Sequence, residues 1–195
     1  VPTRRPSAPR PESQSEARWL RELESPDATT RVEAAKALDR MKSRRARRRC
    51  LELVRSALHP GVREIAAWLL GCICAPGHEA RAVSALCEVV SDEDETVIVR
   101  GVAAEALGMV LQDGSPRTRE ARRAGEALMA LLRSPEPELR FWASYALGLL
   151  RWKPALEELE RLAATDSERH RSFIGTVGEE AAKAAHVIRT GEWLL

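Results

Sequence analysis

The sequence predicts an all-α fold, a right-handed α-solenoid of about five antiparallel helix hairpins. Three observations predict it. Apolar residues make up 44% of the 195-residue chain and aromatic ones only 4%, so the core is mostly Ala, Leu and Val, which suit closely packed helices. A block opening on Arg recurs: RVEAAKALDRM from Arg31, REIAAWLLGCI from Arg63, RGVAAEALGMV from Arg100 and RFWASYALGLL from Arg140. A fifth block, GEEAAKAAHVI from Gly178, keeps the frame without the Arg; the anchors lie 32, 37, 40 and 38 residues apart.

Each block reads as the second helix of a hairpin. Three residues after the anchors stand Ala34, Ala66, Ala103, Ala143 and Ala181. Seven after stand Leu38, Leu70, Leu107, Leu147 and Ala185, and ten after Met41, Ile73, Val110, Leu150 and Ile188. That spacing places them on one helical stripe. Turn chemistry precedes each block: Ser25-Pro26, His59-Pro60-Gly61, Ser91 to Asp94 and Ser134-Pro135, where Ser is expected to cap and Pro to open the helix. A first helix lies upstream of each turn, carrying Leu20 and Leu23, Leu53 and Val54, Val83 and Leu86, Leu128 and Leu131, or Leu156 and Leu159.

The expected units are 14–42, 44–75, 77–111, 117–151 and 153–190, within one domain over 14–195. Residues 1–13, rich in Pro and Arg, are expected to form a disordered tail. No hairpin can bury both of its faces alone, so each needs its neighbours. Trp193 and Leu194 are expected to close the far end.

The turn and helix SPEPELR-FWASYALGLL, and likewise HPGVR-EIAAWLLG, resemble HEAT repeats of the phycobilisome-lyase-like class over roughly residues 25–190. The resemblance implies a curved solenoid whose second helices line a concave face, used by most members as an adaptor. One branch takes part in attaching bilin pigments, an activity the repeat alone does not carry.

Charge is uneven. Residues 1–58 hold 15 of the 31 Lys and Arg but 8 of the 29 Asp and Glu, which gives a basic end. Its densest part is Arg40, Lys42, Arg44, Arg45, Arg47, Arg48 and Arg49. That stretch reads as a footprint for phosphates or an acidic protein, or as a solvated face. No aromatic residue is interleaved with it to stack on bases. Arg31, Arg63, Arg100 and Arg140 share one repeat position and are expected to form a structural ladder, bonding to turn carbonyls or carboxylates. Positions one and five after the anchors are expected to face the concave groove, placing Trp68, Phe141, Tyr145, Lys36, Glu105 and Lys183 in a partner-binding surface, since Trp and Tyr dominate interface energetics.

Enzyme chemistry has little support. His78-Glu79 resembles one His-Glu pair of the HEAT-repeat deoxyhypusine hydroxylases, which need several. Cys72 and Cys74 lack a second ligand pair at metal spacing, and no phosphate loop or nucleophile motif is present. The expectation is a non-catalytic protein-interaction module, with a bacterial inhibitor or immunity-type adaptor as a special case. Nucleic-acid binding through residues 40–49 is the alternative, and a bilin-lyase-like subunit a further one. No cofactor, metal or membrane contact is expected. Four cysteines without disulfide density point to a reducing cytoplasm, and a monomer is expected.

Overall fold

The structure, a computed structural model, describes residues 11–74, 78–169 and 175–192. Within them the chain forms ten α-helices: α1 (Pro11–Glu22), α2 (Ala28–Arg40), α3 (Arg44–Ser56), α4 (Pro60–Ile73), α5 (Glu79–Ser91), α6 (Val97–Leu111), α7 (Arg119–Leu131), α8 (Pro137–Leu149), α9 (Leu156–Thr165) and α10 (Val177–Thr190). A 3₁₀ turn, Lys153–Ala155, leads into α9, and a lone antiparallel bridge joins Arg169 to Thr176. The fold is an all-α solenoid of five hairpins. The expected tail gives way to α1 at Pro11, because proline is tolerated in a first helical turn, where its missing N–H has no intrahelical partner anyway. Residues 1–10, and the expected closure by Trp193 and Leu194, lie outside the described residues.

Odd and even helices pair within each hairpin, and the hairpins stack in two layers. In the even layer α4 packs on α6, α6 on α8 and α8 on α10. Small residues make this approach close. Leu70 and Leu107 are fully buried, as are Ala66, Ala103 and Ala143. The next position in the seam belongs to glycine. A Cβ on Gly71 would lie 3.1 Å from the Ala106 Cα, and one on Gly108 would lie 2.9 Å from the Ala146 Cα. Glycine eight residues past the anchor therefore meets alanine six past the next anchor, twice over. The odd helices α3, α5 and α7 pack less intimately on one another than α4, α6, α8 and α10 do. At the tenth position the expected stripe is incomplete: Ile73, Leu150 and Ile188 are buried, but Met41 is exposed and Val110 only half-buried.

The anchor arginines tie each turn to the hairpin. Arg31 Nη1 donates to the carbonyls of Ser25 and Pro26 at 2.8 and 2.9 Å, and Arg140 Nη1 donates to Ser134 and Pro135 at the same two distances. Arg63 Nη1 does likewise to Ala57 and Leu58 at 2.6 and 3.1 Å. The Ser-Pro pairs accordingly differ from expectation. Asp27 and Glu136 are the N-cap residues, while Ser25 and Ser134 accept their backbone N–H groups. Ser-Pro thus shapes a turn that aims carbonyls at an Arg. The other guanidinium nitrogens reach the following repeat. Arg63 pairs with both oxygens of Glu95. Arg140 pairs with Asp166 at 2.7 Å and with Glu168. Arg31 overlies Gly61, where a Cβ would meet Nη2 at 2.4 Å. Arg100 differs, donating Nε to Val90 O at 3.1 Å.

In an exposed helix Gly→Ala gains about 1 kcal/mol. Gly108→Ala is expected to do the reverse, because the new methyl meets backbone rather than a yielding side chain. Overpacking of this kind costs about 1–3 kcal/mol. A urea titration followed by circular dichroism is expected to show a lower midpoint than wild type.

Candidate functional site

Each even helix turns one face away from both layers. On α4 it carries Ile65, Trp68 and Cys72; on α6 Ile98, Val102, Glu105 and Met109; on α8 Trp142, Tyr145 and Leu149. The spacing of three, four and seven residues aligns each set on one stripe. Apart from Ile98, which is 63% exposed, these side chains are half-buried. Their inner atoms pack on neighbouring helices while their outer atoms meet solvent. No described element crosses the three stripes, so they form one mostly apolar surface along the middle of the stack. Past Cys72 and Met109 the surface runs into a cleft of about 640 Å³ that Cys74, Gln112 and Thr118 also line.

The structure places Trp68, Tyr145 and Glu105 on this surface, with exposed Lys36 on α2 and Lys183 on α10 at its two ends. Phe141 is a correction. Expected in the groove, it is only 5% exposed and packs edge-on to Trp142 with ring centroids 5.4 Å apart. The reason is angular. One residue past the anchor points into the seam between helices, whereas two past the anchor lies on the stripe that continues through positions five and nine. Trp142 occupies that second position. Its ring covers Gly101 of the preceding repeat, where a Cβ would come within 2.8 Å of it, and it meets Tyr145 edge-on at 5.9 Å. Counting in steps of three and four from Trp68 and Tyr145, rather than from the anchor, finds it in the sequence.

Glu105 is the electrostatic anomaly of the surface. Burial raises its carboxyl above the usual range, with no opposing contribution. Burial raises the Cys72 thiol on one side and the Tyr145 hydroxyl on the other, and the charge of Glu105 adds to both. Among the described residues no hydrogen bond or ion pair reaches its carboxylate. Other covered carboxylates have partners: Glu95 has Arg63, Asp166 has Arg140, and Glu180 has Lys183 at 3.4 Å.

The basic stretch divides in two. Arg45 reaches Glu16 at 3.3 Å, Arg49 reaches Glu24 at 2.6 Å and Glu52 at 2.8 Å, and Lys42 reaches Asp39 at 2.8 Å. Arg45 and Arg49 thereby stitch α3 to α1 and the turn after it. Arg40, Arg44, Arg47 and Arg48 make no ion pair among the described residues. Three of these four occupy the opening turns of α3, whose N-terminal dipole disfavours positive charge. Ser43 offsets part of that by capping α3, accepting from Ala46 N at 3.0 Å and donating to Glu16 at 2.5 Å.

Burial pushes the Cys50 thiol to about 12 and those of Cys72, Cys74 and Cys87 to about 11. All four are free and stay protonated near neutral pH. Among the described residues no group of three His, Cys, Asp or Glu is placed to hold a metal ion, and no helix is long and apolar enough to cross a membrane.

A family model of HEAT repeats matches residues 16–108. Solved structures share the fold. The complex of CpcE and CpcF of phycocyanin lyase from Nostoc sp. PCC7120 contains a chain 20% identical, with a TM-score of 0.70, covering 88% of this chain and 98% of that one. An engineered protein is 24% identical, with a TM-score of 0.58, over 93% and 82% of the two chains. Computationally designed armadillo repeat proteins for modular peptide recognition are similar at 17% identity and a TM-score of 0.54, over 91% and 83%. No curated protein matches the sequence.

Because folding raises the pKa of Glu105, the native chain retains a proton that the unfolded chain releases. The stability this confers is complete below the ordinary glutamate value and is lost as pH rises through the raised one. Glu105→Gln, with no charge to bury, is expected to melt at a higher temperature than wild type at pH 7. The difference is expected to close below about pH 4, where both side chains are neutral. Thermal melts across that range measure it.

Proposed function

With HEAT repeats over residues 16–108 and the same solenoid continued through α10 as the premise, we propose that the chain is a non-catalytic interaction module. It holds a protein partner against the surface of α4, α6 and α8, and an inhibitor or immunity-type adaptor is the special case. One observation carries this reading: three adjacent helices present aligned, half-exposed apolar stripes, with Trp68, Trp142 and Tyr145 among them, that no described element covers. A contiguous apolar patch rimmed by charge is the usual form of a protein-binding surface. Two tryptophans and a tyrosine on packed helices are rigid anchors, since little side-chain freedom is left to lose on binding. The protonated thiols support a role without nucleophilic chemistry. The likeness to CpcE and CpcF, at 20% identity, supports the fold and adds nothing for pigment chemistry.

A second reading, anion or nucleic-acid binding, has its own support. Arg44, Arg47 and Arg48 crowd the N-terminal end of α3, where they oppose the helix dipole and where a phosphate would relieve them.

The groove reading is tested on the partner that co-purifies with the chain from its source. Trp68→Ala is expected to weaken that complex by about 2 kcal/mol or more, roughly 30-fold, with the helical circular dichroism unchanged. Unchanged affinity in a folded variant overturns the reading. The second reading predicts that log affinity for duplex DNA falls linearly with log salt, at a slope near −0.9 for each phosphate contact. A flat response removes it.

A further inference from the structure

We infer that the centre of the groove is a receptor for a single cationic side chain, arginine or lysine, carried by an apolar segment of the partner and docked on Glu105 between Trp68 and Tyr145. This rests on the groove reading and adds the chemistry of what the groove takes.

The row five residues past the anchors carries the inference. Across the stack it runs Lys36, Trp68, Glu105, Tyr145 and Lys183: a carboxylate at the middle, an aromatic ring on each side, and a cation at each end. The rings belong to α4 and α8, both packed against α6. The carboxylate is half-covered, and no partner reaches it among the described residues, whereas Lys183 at the end of the row pairs with Glu180. Covering a carboxylate strips water from it, and an opposite charge with hydrogen-bond donors makes good that loss without the carboxyl having to take up a proton. A guanidinium or ammonium group entering from the solvent side supplies both, and the flanking rings can offer their π faces to the same cation. The stripe residues around this point are apolar, Ile65 toward α4, Val102 and Met109 along α6, and Trp142 and Leu149 toward α8, and charge returns only further out, at Lys42 beside the Cys72 carbonyl and at Glu180 beyond Tyr145. The residues flanking the partner's cation are therefore apolar. Exposed Lys36 and Arg40 on α2 repel further positive charge at that end, so one cation fits and a run of them does not.

The test uses the full chain and a random-peptide display library. Enriched peptides are expected to share one Arg or Lys between apolar residues. In a synthetic copy of such a peptide, replacing the cation with norleucine is expected to weaken binding to wild type by about tenfold or more, and to Glu105→Gln hardly at all. Glu105→Gln is nearly isosteric, and its circular dichroism and melt establish that it is folded. Enriched peptides lacking a cation but lost on Trp68→Ala overturn the receptor while leaving the groove standing. Peptides whose norleucine penalty is the same on both proteins also overturn it. Enrichment of nothing, or of peptides insensitive to both variants, overturns receptor and groove together.

Discussion

The close approach of α4, α6 and α8 is the constraint on which the rest of the molecule depends. It is achieved by removing side chains: glycine at one repeat position faces alanine at another, twice in succession, at separations a methyl group would violate. Dense packing of this kind gathers many weak dispersion contacts per unit length of helix. The odd layer has no such seam, and its helices pack less closely on one another. No hairpin buries both of its faces alone, so the interfaces between neighbours couple the repeats along the solenoid.

The arginine ladder serves that seam from the edge. Three guanidinium groups satisfy carbonyls in their own turn, and two of them also reach carboxylates of the next. Turn geometry within a repeat is thereby coupled to the register between repeats. The Ser-Pro pairs belong to this device, presenting carbonyls to an Arg. With register fixed on the turn side and spacing fixed by glycine, residues at equivalent positions on successive helices line up as a row. The groove is that row, and its chemistry changes step by step because side chains on the outward face are only half-buried and so less constrained by packing than those in the seam.

Much of this was legible in the residues. The recurring frame, opened by Arg in four blocks and by Gly178 in the fifth, located all five second helices, and the basic stretch was plain. What escaped was angular and relational. Phe141 and Trp142 are adjacent and chemically alike, and a one-residue step rotates a side chain by about 100° around a helix, enough to exchange core for surface. The division of the basic stretch was equally hidden. Whether an Arg is paired depends on Glu16 and Glu24, which α1 brings over from another hairpin element.

Sequence by itself determined the helices, their pairing and their order, because these follow from periodicity and turn chemistry, which are local. It also determined the row of Lys36, Trp68, Glu105, Tyr145 and Lys183, since equivalence between repeats is a matter of counting. Only the tertiary structure decided that Glu105 sits half-covered with no cation in reach among the described residues, and that Trp142 replaces Phe141 at the surface. Burial and partnership are properties of what neighbouring helices place around a side chain, and no residue encodes its own surroundings.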